Sequence, residues 1–446
     1  MSRQSTYALH APVSRAWLYI FAGFAASLAS IGLARFAYAP LVPALIQAHW
    51  FSSSSVVFLS AANLTGYLIG ALVGQPLARR FSNTPVLRAM MVLVTLAFLA
   101  CGYPLSLSWF FTWRLLSGIA GGAIMVLVAA TVLPHVALAR RGVAGGAIFL
   151  GVGVGIAGSG TVVPWLLGMG LQITWTGLAA ISAALTLLTW YAWPQAQARV
   201  SAVQTSPRTP GGAAGEWPGA PALSRMGDAA DTAQGAQLGN ATRPSPDHRA
   251  GLFLLFGQYG LMAVALVPAM VFLVDFVERG LGAGSAAGAH FWVLYGLGAM
   301  MGPPLYGWLG DSLGPRPALR AVLAVQAVAM GVLSLANGHA ALALATVIIG
   351  TFPPGIVPLA LARIHRLIPH DALAQNLAWS RATVSFATFQ ALAGYAYSAV
   401  FSASGGHHRT MFLIATLALV GAVLAELGVV ETAIGRVISS RLQRVA

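Results

Sequence analysis

The chain alternates between long apolar runs and short polar turns that carry arginine. Runs near the roughly 20 residues needed to cross a bilayer recur twelve times. They lie at 17–46, 55–78, 84–105, 108–134, 143–167, 172–193, 250–277, 285–308, 318–337, 340–361, 372–401 and 410–430. The first is too long to cross upright, so it is expected to tilt or bend, with Pro40 and Pro43 marking the bend. Arg35 interrupts it and no small-residue cleavage site follows, so it is expected to be an uncleaved first helix. Segment 194–249 is rich in Pro, Gly, Ala and Ser. It cannot bury enough apolar surface to offset its chain entropy and is predicted to be a disordered cytoplasmic linker. The predicted fold class is an all-α integral membrane protein, with twelve transmembrane helices in two six-helix halves. The layout is a cytoplasmic N-terminus at 1–16, halves at 17–193 and 250–430 flanking the linker, and a cytoplasmic tail at 431–446.

Composition removes other classes. Of 446 residues 58% are hydrophobic and 8% charged, against about 25% charged in soluble domains, which excludes a large soluble enzyme. All 24 basic residues are arginine, against 10 acidic ones, for a net charge of +14. The arginines are scattered between apolar runs rather than gathered in a patch, so nucleic acid is not expected as a partner. Cys101 is the one cysteine. It permits no disulfide framework and reads as a small buried side chain. Without lysine there is no Walker sequence, and ATP-driven transport by this chain is excluded. No His/Cys cluster has metal-ligand spacing, so neither metal nor cofactor is expected. No paired acids or His–acid pair on one helix face point to an enzyme.

The arginines also orient the chain. With an inside N-terminus, 19 of them fall in inside segments and only Arg279 and Arg409 outside. This bias places both termini in the cytoplasm, and the expected location is the inner (plasma) membrane, multi-pass. The other three, Arg35, Arg114 and Arg381, lie within spans.

The stretch Gly307-Trp-Leu-Gly310-Asp311-Ser-Leu-Gly314-Pro-Arg316 resembles the loop motif G-x-L-x-D-x-x-G-x-R/K of the major facilitator superfamily. A first-half copy begins at Gly74 but has Ala78 where the acid stands. Trp113-Arg114-Leu-Leu-Ser-Gly118 is similar to the superfamily's R-x-x-x-G element. A glycine ladder, Gly151, Gly153, Gly155, Gly158 and Gly160, occupies the antiporter-motif region without its Gly-Pro pair, and reads as close helix packing. Gly32-Leu-Ala-Arg35-Phe-Ala-Tyr38-Ala-Pro40-Leu-Val-Pro43 resembles the G-R-F-a-Y-t-P-l-l-P run of the YbfB/YjiJ-type branch. The resemblance implies two parallel halves and alternating access around a midplane site.

Arg35 and Arg114 are the sharpest candidates. A charge at the bilayer centre costs about 2.5–3.5 kcal/mol on insertion scales, and arginine cannot shed its proton. The first acidic residue is Glu216, so neither has a carboxylate in its own half. Each is expected to face carbonyls, hydroxyls, water, the other half or an anionic cargo. Further cavity candidates are Tyr38, Asn63, Tyr67, Gln258, Tyr259, Trp292 and Tyr295, with Trp379, Arg381 and Gln390 on the eleventh span. Asn63 and Tyr67 share a face, being four apart. Asp275 and Glu426 are the proton-coupling candidates, although Asp275 reads first as a solvated helix end paired with Arg279. Asp311 is expected to cap a helix or pair with a loop arginine, latching the halves. The expected function is secondary transport of a small anionic or neutral polar solute by a proton-coupled monomer in the lipid bilayer. The alternatives are a transporter-like sensor or scaffold, and an efflux pump for apolar or cationic compounds. The orientation is testable: a cysteine placed at Ser206 should resist membrane-impermeant reagents in intact cells, and labelling from outside would reverse the topology.

Overall fold

A computed structural model of the protein describes residues 13–137, 140–194, 246–369 and 371–445. Among them the regular elements are helices, with no strand. Span 1 comprises helix Val13–Ser27, a π-helical stretch Leu28–Leu33 and helix Tyr38–Gln47. Spans 2 to 6 are Ser53–Phe81, Asn83–Cys101, Leu107–Val132, Arg141–Leu167 and Leu171–Thr189. Span 7 is Pro246–Asp275 with a π-helical end, Phe276–Gly280. Spans 8 and 9 are Gly284–Leu313 and Pro315–Leu335, and span 10 is His339–Gly350 with Phe352–Leu367, bent by 41°. Spans 11 and 12 are Ala372–Ala403 and His408–Val445. Most of the proposed linker and residues 1–12 lie outside the described residues.

Nine of these helices are long and apolar enough to cross a membrane, and the bent pair makes a tenth. Spans 8 and 11, at 30 and 32 residues, are long enough but less apolar. Their place explains this: span 8 packs on span 5 and span 11 on span 2, along the seam between the halves. Helices that face protein on several sides can carry polar side chains that lipid would not tolerate.

Small residues let backbones meet. A Cβ on Gly118 of span 4 would lie 2.2 Å from the Asn63 carbonyl oxygen of span 2. The second half repeats the device, a Cβ on Gly350 of span 10 falling 2.1 Å from the Tyr295 carbonyl of span 8. The span-5 ladder works in two directions. Gly151 and Gly155 abut span 1, while Gly153 and Gly160 abut Met300 and Val293 of span 8.

Span 1 does break, but not at its prolines. The π-helical stretch and turn end at Ala37, and Pro40 falls in the first turn of the following helix, where its missing N–H would have no partner in any case. The break coincides instead with the contact of Gly32 on Gly155, where a Cβ would approach the Gly155 Cα to 2.8 Å.

Both helix ends of each half lie at one face of the bundle with the turns that carry Arg79, Arg80 and Arg316, the arginine-rich face. At the opposite, far face the halves touch where Gln47 Nε2 donates to Glu278 Oε1 at 2.8 Å, and deeper along the seam Thr65 Oγ1 donates to the Tyr395 hydroxyl at 3.1 Å. Gly118→Ala should lower stability by about 1–3 kcal/mol through overpacking, read as a lower thermal midpoint in detergent. Gly158→Ala, with no atom within 4 Å of its Cβ, should leave it unchanged. Equal effects would contradict the contact geometry.

Candidate functional site

The break in span 1 sets the two buried-zone arginines to different tasks. Arg114, 3% exposed, donates from Nη1 to the Ala34 carbonyl at 2.7 Å, and its guanidinium lies 4.1 Å from the centroid of the Tyr38 ring. It thereby satisfies a carbonyl that the irregular turn leaves without a regular helical partner. Asn63 supports it from span 2, donating to the Ser117 hydroxyl at 2.9 Å and to the Arg114 carbonyl at 3.3 Å. The Tyr38 hydroxyl donates to the Val56 carbonyl at 2.9 Å. Arg114, Asn63 and Tyr38 thus form one cluster inside the first half, away from the seam.

Arg35 sits in the turn itself and points into the seam. Its Nη2 donates to Gln390 Oε1 of span 11, and its guanidinium lies 4.7 Å from the Tyr67 ring centroid and 5.8 Å from that of Phe36. Gln390 is fixed in turn by Met270 Sδ at 3.6 Å. Phe36 stands 6.4 Å from both Trp292 and Tyr295, which stack on each other at 5.0 Å. Trp292 is pinned across the seam by its Nε1 donating to Ser159 Oγ at 2.9 Å. Tyr259 packs beside Trp379 at 6.2 Å and Phe386 at 4.8 Å. Among the described residues Arg35 has no carboxylate partner. Its Nε and the Tyr295 hydroxyl are buried without a hydrogen-bond partner there. Buried donors are nearly always satisfied, and these two leave the aromatic cluster with hydrogens free to meet an acceptor, as Arg114 Nε does in the first-half cluster. Of the sequence candidates, Arg35, Tyr67, Tyr259, Trp292, Trp379 and Gln390 gather along this seam.

Gln258 does not. One residue from Tyr259 is a rotation of about 100°, and it carries Gln258 into the second half, where its Nε2 donates to Glu426 Oε2 at 3.0 Å. Glu426, 0% exposed, also accepts from Arg316 Nε at 2.5 Å, Arg320 Nη2 at 3.4 Å and Arg363 Nη2 at 2.9 Å. It anchors the arginine-rich end of spans 7, 9, 10 and 12. Arg316 of the loop motif is therefore spent on Glu426, while Asp311 is exposed and makes no hydrogen bond or ion pair among the described residues. The expected latch through Asp311 is not engaged. Gly314 adopts a φ of +86°, which glycine alone meets without strain, and Gly310 lies against Leu359 while Gly307 is open. Arg381 is exposed.

Asp275 is buried rather than solvated. Both its oxygens accept from Arg279, and His408 Nε2 lies 2.6 Å from Oδ2. His408 and Arg363 fall between the apolar runs of the sequence, outside any predicted span. Their neighbours 133 and 63 residues away leave no local signal.

A two-half helical bundle whose less apolar helices line a seam, with a cation and aromatic rings at its middle, defines a transporter of the major facilitator type. The chain belongs to the YbfB-type family of these transporters: the family described as "Uncharacterised MFS-type transporter YbfB" matches residues 27–217 and 223–426. It is 26% identical over 312 residues to a gallate transporter of Pseudomonas putida, covering 66% of each chain. It is 34% identical over 128 residues to the 4-hydroxybenzoate transporter PcaK of Acinetobacter baylyi, covering 28% of each. The chain thus spans just under two thirds of the first relative and a smaller part of the second. In fold it is similar to a D-xylose–proton symporter, with a TM-score of 0.69 at 15% identity over 92% of this chain and 96% of that one. The protein is a multi-pass membrane protein of this transporter family.

Arg114→Gln should remove a charged hydrogen bond worth about 1.5–3 kcal/mol and lower the thermal midpoint of the purified protein. A stability equal to the parent's would remove Arg114 from the support of the break.

Proposed function

We propose that the protein carries a small aromatic carboxylate across the membrane by alternating access, with Arg35 as the counter-charge. The observation that carries this is the Arg35 guanidinium at mid-seam, unpaired with any acid among the described residues and framed by Phe36 and Tyr67. A carboxylate there gains a planar, two-donor partner. The rings of Tyr67, Tyr259 and Trp379 offer faces and edges to an aromatic cargo. A cationic cargo at about 6 Å would meet about 3 kcal/mol of repulsion at an effective dielectric near 20, more than a hundredfold in affinity. The names of the gallate and 4-hydroxybenzoate transporters agree with this class of cargo. The arginine bias between the two faces supports both termini in the cytoplasm of a cell whose plasma membrane holds the protein, so the far face is the outer one.

The test is flux through the purified protein in liposomes. Labelled 4-hydroxybenzoate should be taken up and exchanged, and Arg35→Gln should reduce this at least tenfold while the protein still elutes as a monodisperse species. Robust movement of a permanently cationic dye, undisturbed by Arg35→Gln and Arg114→Gln, would overturn the reading.

A further inference from the structure

The geometry points to a proton-binding site at the outer end of the second half, formed by His408 with Asp275, through which external acid opens the outer contact between the halves. It rests on the alternating-access reading and the orientation given above, and not on the identity of the cargo.

Asp275 is 0% exposed and His408 9%. A carboxylate engaged by Arg279 through both oxygens can only accept, so the His408 nitrogen 2.6 Å from Oδ2 carries the hydrogen, and in the neutral ring Nδ1 keeps its lone pair. The imidazole is walled by Phe272, Phe276 and Phe401 at ring separations of 6.5, 6.1 and 5.1 Å. Its Nδ1 side faces Gly280. His408 and Gly280 line a cavity of about 740 Å³ that the second half shares with Ser53 and Ser54 of the first. A proton arriving from that cavity can bind Nδ1 with no bond broken, and the ring passes from neutral to positive. Imidazole is the side chain that changes charge between about pH 5 and 8.

The surroundings decide what the added charge does. On span 7 the cluster holds Asp275 and Arg279, with Glu278 beside them. The turn before span 12 contributes His407, which is exposed and bonded to the Ser404 carbonyl, and span 12 contributes Arg409, which is committed to the carbonyls of Leu335 and Ala336 at 3.2 Å each. Span 8 packs Gly288 on Glu278, its His290 being exposed, and spans 2 and 11 offer only hydroxyls and Phe401 here. In the neutral state one carboxylate therefore answers one guanidinium. A protonated His408 competes with Arg279 for Oδ2. The nearest other anion for Arg279 is Glu278, and Glu278 Oε1 is the acceptor that holds Gln47 of the first half at 2.8 Å. Recruiting Glu278 inward loosens a bond that joins spans 1 and 7 across the outer seam.

The experiment is a pulsed electron-spin distance measurement on the full chain in lipid nanodiscs, without cargo. Spin labels replace Ser54 and Ser402, on opposite halves of the cavity, in a Cys101→Ala background. The label-to-label distance should lengthen between about pH 8 and 5.5. His408→Gln should abolish the change, and Asp275→Asn should hold the longer distance at both pH values. His408→Asn serves the same arm should the Gln variant fail to fold. A distance independent of pH, or a pH response that survives loss of His408, would overturn the proposal. Because no cargo is present, failure here leaves the carboxylate reading untouched. Failure of carboxylate flux likewise leaves this site standing.

Discussion

A guanidinium that cannot lose its proton, held at the seam of a membrane bundle in a half that contains no acid, is the constraint around which the rest is arranged. Placing such a charge at the bilayer centre costs on the order of several kcal/mol. The structure contains that cost by local means: an irregular turn that presents Arg35, a glutamine from the other half that accepts one of its hydrogens, and two ring faces. The turn is itself supported, because Arg114 bonds the Ala34 carbonyl that regular helix would have used. One arginine supports the break so that the other can face the seam.

The second half treats charge differently. Its buried carboxylates are saturated locally, Glu426 by three arginines and Gln258, Asp275 by Arg279 and His408. These clusters stitch helix ends at the two faces and leave the middle of the seam to neutral aromatic and amide groups. The first half supplies fixed positive charge, and the second supplies shape and hydrogen bonds. The carboxylate cargo we propose would complete the pattern, whereas a cation would be opposed from the first half and unassisted by the second.

The spans were legible because lipid permits only backbones satisfied within the protein, and an apolar run of about 20 residues meets that demand as a helix; twelve such runs announce them. The seam was partly legible. Arg35 stood out by its charge, and Gln390 by its polarity in span 11. What escaped depends on packing between distant segments. The bend in span 1 was attributed to Pro40 and Pro43, yet it follows the approach of Gly32 to Gly155, a pair separated by four other helices' worth of chain. Gln258 and Tyr259 look interchangeable in sequence, but a single helical step sends one to a buried ion cluster and the other to the seam. The loop motif suggested Asp311 as a latch, whereas Arg316 is taken by Glu426, a residue far along the chain whose partners no local pattern reveals. The roles of Arg35 and Arg114 were indistinguishable by composition and are separated by which carbonyl or amide each one reaches.

The most direct measurement is calorimetric binding of 4-hydroxybenzoate and of its neutral methyl ester to the purified protein and to Arg35→Gln. The account predicts that the parent binds the acid at least tenfold more tightly than the ester, about 1.4 kcal/mol or more, and that the substitution removes this preference while leaving ester binding unchanged. Equal affinity of the parent for acid and ester, or a preference that survives the loss of Arg35, would contradict it.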